Sequence, residues 1–110
     1  MKKGRAVFYL DLVVILEMLV KVKVYYFEVF GSGSFVLELR DESTVADVVN
    51  ELEYRFGQLF TEKTGKNLKQ ALEDYFNIFL NGIRVNLPTE IGHRLNNNDE
   101  VVVVRPVSGG

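Results

Sequence analysis

The apolar side chains of this chain change period as the sequence is read, and the order of those changes limits the fold more than any composition figure does. In VKVKVYYF (residues 20–27), Val20, Val22 and Val24 face one way and Lys21 and Lys23 the other, the two-residue period of a half-buried strand. A loop with Gly31, Ser32, Gly33 and Ser34 comes next. SFVLELR then sets Phe35, Leu37 and Leu39 against Glu38 and Arg40, so the two runs read as a β-hairpin.

At Asp41-Glu42-Ser43-Thr44 the period lengthens. Thr44 with Asp47 three residues on forms a capping box with the shorter acid, Ser43 being an alternative cap. Val45, Val48, Val49, Leu52 and Phe56 then recur at spacings of three and four, which predicts the main helix, with Gly57 as its left-handed terminator. A polar excursion to Asn67, carrying Gly65, leads into LKQALEDY, a short second helix with Leu68, Ala71, Leu72 and Tyr75 on one side. Phe76, Ile78 and Leu80 return to alternation before an Asn81-Gly82 turn whose backbone accepts positive φ. Pro88 and Gly92 interrupt regular structure, Asn96 to Asp99 form a polar turn, and Val101 to Val104 make the last strand. Four valines in a row predict a central strand covered on both faces or nearly so.

A chain of 110 residues holds one domain's core. Thirteen Lys plus Arg against fifteen Asp plus Glu leave a formal charge of −2, which favours neither disorder nor a charge-driven nucleic-acid binder. The absence of cysteine excludes a disulfide scaffold, thiolate metal sites and a cysteine nucleophile. The run AVFYLDLVVILEMLV (residues 6–20) comes after a basic MKKGR start but is only fifteen residues long and is broken by Asp11 and Glu17. A membrane span needs about 20 apolar residues, and no small-residue cleavage signature succeeds the run. Residues 1–18 are therefore read as an added element packed on the domain or as an upstream extension ahead of Met18, membrane or export use being the weaker alternative. A cytoplasmic location is expected.

Few side chains suggest self-contained catalysis. His93 is the single histidine and has no second imidazole to share a metal with. Gly31-Ser32-Gly33 lacks the lysine and the strand-to-helix setting of a phosphate loop. Lys21 and Lys23 could join Arg84 or Arg105 in a basic stripe, but without interleaved aromatic platforms direct nucleic-acid contact is not expected. Glu51 and Arg55 are spaced as an ordinary i,i+4 ion pair.

The ending, RPVSGG, has a different logic. Pro106 stops a strand's hydrogen bonding, and no later side chain exceeds valine. Gly109 and Gly110 offer no Cβ to enclosing walls, so this end can be threaded into a narrow site that receives the terminal carboxylate deepest. A carboxylate becomes an acyl donor once ATP converts it to an acyl-adenylate, which sulfur or an amine can then attack. The bland alternative is an unstructured glycine end.

VKVKVYYF (20–27), STVADVVNEL (43–52), FLNGIRV (79–85) and LNNNDEVVVVRPVSGG (95–110) together resemble the MoaD/ThiS family of ubiquitin-like sulfur carriers, over about residues 19–110. The resemblance implies an α+β, β-grasp fold: a mixed sheet packed around one main helix, with an extended C-terminal tail. It implies sulfur carriage for molybdenum cofactor synthesis, as the small subunit of molybdopterin synthase. A ubiquitin-activating-type enzyme would adenylate Gly110, a sulfur donor protein would convert it to a thiocarboxylate, and the large synthase subunit would receive Arg105, Pro106, Val107, Ser108 and Gly109 ahead of it. Cyclic pyranopterin monophosphate would be the sulfur acceptor. ATP would be the activating partner's substrate, and no cofactor would be held stably by this chain. The same tail also suits a modifier conjugated to lysines or a sulfur carrier for tRNA thiolation, while a non-covalent β-grasp binding module would not need it. Two departures stand out: Arg105 replaces a commonly uncharged residue, and Asn98 replaces the glycine of the closing turn.

Overall fold

The structure is a computed structural model that describes residues 19–28 and 31–106. The readings of residues 1–18, and of Val107, Ser108, Gly109 and Gly110, lie outside the described residues.

The alternating runs form the expected hairpin, β1 (Leu19–Phe27) antiparallel to β2 (Gly33–Arg40). Val20, Val22 and Val24 stand opposite Leu39, Leu37 and Phe35, so one face of the pair is continuously apolar. Gly33 allows close packing at the hairpin end, since a Cβ there would lie 2.7 Å from the Tyr26 hydroxyl.

Helix α1 (Val45–Thr64) lays Val45, Val48, Val49, Leu52 and Phe60 onto that face, all buried. Thr44 is its N-cap residue: Asp47 Oδ2 accepts the Thr44 N–H at 2.8 Å, and the Thr44 carbonyl accepts the Asp47 N–H at 2.9 Å. The next orphan donors of the first turn, Val45 N–H and Ala46 N–H, go to the carbonyls of His93 and Ile91, each at 2.9 Å. The helix start is thereby tied to the loop before β5.

Gly57 does not end this helix. It is buried in mid-helix beneath Glu53, whose carboxylate would lie 2.7 Å from an added Cβ, so the glycine sits under a side chain and not at a chain reversal. Residues read as the start of a polar excursion are two further helical turns that bury Phe60. Gly65 is the left-handed cap, at φ +73°, with its N–H donating to the Thr61 carbonyl at 2.8 Å.

Helix α2 (Leu68–Asp74) is capped by the Asn67 side chain, which accepts from Gln70 N–H at 3.0 Å, and buries Leu68, Ala71 and Leu72. Tyr75, expected on the same side, is instead the residue past the last turn and is 53% exposed.

β3 (Asn77–Leu80) turns through Asn81 and Gly82, at φ +50° and +82°, into the three-residue β4 (Ile83–Val85). β5 (Asp99–Val104) begins two residues earlier than its valines suggest, because ladder pairing to β1 depends on the backbone and already includes Val22↔Asp99 and Lys23↔Glu100. Asn98, in the closing turn, adopts the left-handed conformation that a glycine would take more readily, at φ +70°.

The sheet order is β2-β1-β5-β3-β4, with β5 central, parallel to β1 and antiparallel to β3. A mixed sheet clasping one long helix is the α+β, β-grasp arrangement. Coverage of β5 is less even than its sequence implies: Val101 and Val103 are buried under α1, but Val102 and Val104 are only half-buried on the outer face. Among the described residues, no helix is long and apolar enough to cross a membrane.

Candidate functional site at the root of the tail

The parallel pairing of β1 and β5 brings the ends of both strands to one side of the sheet, where Phe27 stands beside Val104. On the other flank Val104 pairs with Asn77 of β3. The chain therefore leaves the sheet from its middle strand, held on both sides up to Val104. One further backbone bond, Arg105 N–H to the Phe27 carbonyl at 3.3 Å, extends the grip. Pro106 has no N–H to continue it. Arg105 is exposed and Pro106 half-buried.

The opposite end of β5 is pinned by a carboxylate. Asp99 is only 7% exposed; its Oδ1 accepts from the Asn81 amide at 2.9 Å and its Oδ2 from the Asn96 N–H at 2.7 Å. Asn81 also receives the Glu100 N–H on its Oδ1 at 2.9 Å and donates its own N–H to the Glu100 carbonyl at 2.8 Å. The neighbouring turn is tied to β1, with Lys21 N–H donating to Asn97 Oδ1 and Asn98 N–H to the Lys21 carbonyl, both at 2.8 Å. These bonds fix where β5 starts, hence its register against β1, hence where the tail emerges. In sequence Asp99 is one polar residue of a polar turn, and nothing there distinguishes a buried carboxylate from a solvated one.

The other candidates are placed elsewhere. His93 is exposed in the loop before β5, its carbonyl accepting from Val45 and its N–H donating to the Glu90 carbonyl at 3.0 Å. The Gly31–Gly33 segment belongs to the hairpin connection, where Ser32 Oγ accepts the Glu28 N–H at 3.1 Å. Lys21 and Lys23 share the outer face, but the register sets Glu38 across from Lys21, and both Val36 and Glu100 beside Lys23. Arg84 stands opposite Phe79, away from the lysines. Arg55 Nε donates to Glu51 at 2.9 Å as the spacing predicts, and its guanidinium also lies 4.1 Å from the centre of the Phe35 ring.

Beside the tail root lies a feature the sequence did not announce, a cleft of about 710 Å³ bordered by Glu28, Arg105 and the aromatic side chains Phe60, Tyr75 and Phe76. It exists because α1 runs past Gly57, carrying Phe60 to the end of the sheet from which the tail departs.

Comparison with known proteins bears on this end of the molecule. The sequence profile of the ThiS family matches residues 20–110, through the diglycine. Among solved structures, the HVO 2177 protein of Haloferax volcanii is 27% identical with a TM-score of 0.56, over 84% of this chain and 89% of that one. The small archaeal modifier protein 1 of Methanosarcina acetivorans is 26% identical with a TM-score of 0.56, over 84% and 98% of the two chains. A putative molybdopterin converting factor subunit 1 from Pyrococcus furiosus shares the fold, at 24% identity and a TM-score of 0.53 over 80% and 99%. No curated protein sequence matches the chain.

Proposed function

Since the chain belongs to the ThiS family, we propose that it is a carrier whose working group is the carboxylate of Gly110, loaded with sulfur for molybdenum cofactor synthesis. The observation that carries this reading is the tail root: a central strand gripped from both sides, a backbone bond from Arg105 followed by Pro106, which has no N–H, and a family match that continues through Gly109-Gly110. Beyond Pro106 four residues remain, a reach of about 14 Å when extended. That length delivers the carboxylate into a partner's site while the folded domain stays outside.

In this reading a ubiquitin-activating-type enzyme binds ATP and the tail together. A Gly110 carboxylate oxygen attacks the α-phosphorus, pyrophosphate leaves, and an acyl-adenylate forms. A sulfide equivalent from a donor protein then attacks the acyl carbon and displaces AMP, leaving a C-terminal thiocarboxylate. Gly109 and Gly110 keep the thread narrow, Ser108 adds little bulk, Val107 and Pro106 hold it against the channel, and Arg105 meets the channel mouth. The large subunit of molybdopterin synthase takes the loaded tail, and two deliveries convert cyclic pyranopterin monophosphate into molybdopterin. ATP is the activating partner's substrate, and the chemistry belongs to the cytoplasm.

A second reading is favoured by the 26% likeness to a small archaeal modifier protein: the same acyl-adenylate ends on a lysine amine, making an isopeptide bond. Sulfur delivery to tRNA uses the same activated end. One experiment separates sulfur carriage from lysine conjugation. The chain is incubated with ATP, its adenylating enzyme and a sulfur source, and its intact mass and any lysine-linked peptides are analysed. Sulfur carriage requires one oxygen at Gly110 to be replaced by sulfur, and a Gly110 deletion to abolish this without changing the thermal unfolding curve. Glycine-tailed lysine peptides without a thiocarboxylate select the modifier. An unmodified Gly110 beside a demonstrably active enzyme overturns both, and leaves a non-covalent binding module.

A further inference from the structure

The cleft beside the tail root is walled by ordered aromatic rings. Phe60 and Phe76 meet edge to face at 5.9 Å and Phe76 and Tyr75 at 5.3 Å, with Ala71 in the floor. Phe60, Ala71 and Phe76 are at most 9% exposed, whereas Tyr75 keeps half its surface in water at the mouth. Charged groups border the cleft: Glu28 comes directly after β1, Arg105 roots the tail, and Asp74 is fixed by Gln70, whose Nε2 donates to it at 2.8 Å. An apolar floor with a mixed polar rim has the anatomy of a protein-binding hot spot, and Tyr and Arg, both present here, are among the residues enriched in such spots.

The occupant is set by the length of the tail, and this step rests on the function proposed above. Four residues separate Pro106 from the Gly110 carboxyl, so an enzyme acting on that carboxyl holds its reacting atoms within about 14 Å of the tail root. Its channel mouth must therefore sit against Arg105, and Arg105 is also a wall of the cleft. We infer that the cleft receives a large apolar side chain from the rim of the adenylating enzyme's channel, a recognition contact separate from the diglycine. A cleft of about 710 Å³ also falls in the size range of small-molecule pockets. A protein side chain fits better because the charged groups stand around the opening beside the tail root, where a partner's surface arrives.

Two substitutions at exposed positions test this: Tyr75→Ala removes the mouth aromatic, and Gln70→Trp obstructs the opening. Exposed Tyr54, which does not border the cleft, supplies the Tyr54→Ala control. Carrier-dependent pyrophosphate exchange is measured with the adenylating enzyme, and binding is measured separately for each chain lacking Gly110. Each cleft variant is expected to raise the KM for carrier about tenfold, a hot-spot loss, and to weaken binding of the Gly110-deleted chain by a similar factor. The control should move neither value. If the wild-type chain is activated normally but both cleft variants keep its KM, or the control changes equally, the cleft is not a contact and the carrier reading stands. If the wild-type chain is not activated at all, the carrier reading fails and the inference fails with it.

Discussion

Replacing Asp99 by asparagine keeps the side chain's shape while converting one acceptor into a donor, and the surrounding network leaves that donor nowhere to point. If the new amide nitrogen faces Asn96, it meets an N–H that now donates to Oδ2 at 2.7 Å; if it faces Asn81, it meets the Nδ2 that now donates to Oδ1 at 2.9 Å. Asn81 cannot relieve the second clash by flipping its amide, because its own Oδ1 is already held by the Glu100 N–H at 2.9 Å. A charge-assisted bond falls to a neutral one and a buried donor loses its partner, a cost of about 1–3 kcal/mol for the orphaned group alone. With both effects, Asp99→Asn should cost about 2–4 kcal/mol, which for a domain of this size lowers Tm by on the order of 10–20 °C. Urea unfolding monitored by circular dichroism gives the measurement: the midpoint should fall while the slope is retained, indicating lost stability without a change in compactness. A cycle with Asn81→Ala should show coupling of about 1 kcal/mol or more between the two sites. A loss below about 0.5 kcal/mol for Asp99→Asn, within the range of ordinary surface changes, would refute the claim that this carboxylate pins the start of β5.

Two glycines of the α1 region should respond with opposite signs. Gly57→Ala gains up to about 1 kcal/mol of helix propensity, because the atoms nearest the new methyl are the far end of Glu53, whose Oε2 has no hydrogen-bond partner among the described residues; a urea midpoint lower than wild type would show that Glu53 cannot move aside. Gly65→Ala, at φ +73°, should cost about 1–2 kcal/mol in the same assay, and an unchanged midpoint would contradict its role as the left-handed cap. Leu52, fully buried where α1 crosses the sheet, should cost about 2–5 kcal/mol on truncation to alanine, measured by thermal or urea unfolding; a loss under about 1 kcal/mol would place the core elsewhere.

The strands and helix starts were legible because each rests on a local period or cap: Lys21 and Lys23 between valines, Thr44 with Asp47, Asn81 before Gly82. The end of α1 was not, since a glycine in a helix reads the same whether it stops the chain or clears space for a neighbour. At Gly57 the neighbour is Glu53, a contact visible only in three dimensions. The start of β5 was hidden for a related reason, as Asp99 and Glu100 carry polar side chains while their backbones already pair with β1. Four valines implied cover on both faces, yet Val102 and Val104 lie on a face that the helix does not reach. The proposed working end was suggested by small residues after a proline, and Arg105 and Pro106 bring its root to the sheet's central exit. The cleft beside it depends on Phe60, Tyr75 and Phe76, which come from separate segments and share no sequence pattern.

The chemical state of Gly110 in cells decides whether the tail carries sulfur. The protein is isolated under conditions that preserve thioacids, and the mass of its C-terminal peptide is determined. A sulfur carrier yields a population ending in Ser108-Gly109-Gly110 with one oxygen of the terminal carboxylate replaced by sulfur, lost when the adenylating enzyme is removed. A tail that is always an unmodified carboxylate, in cells actively making molybdenum cofactor, would contradict sulfur carriage.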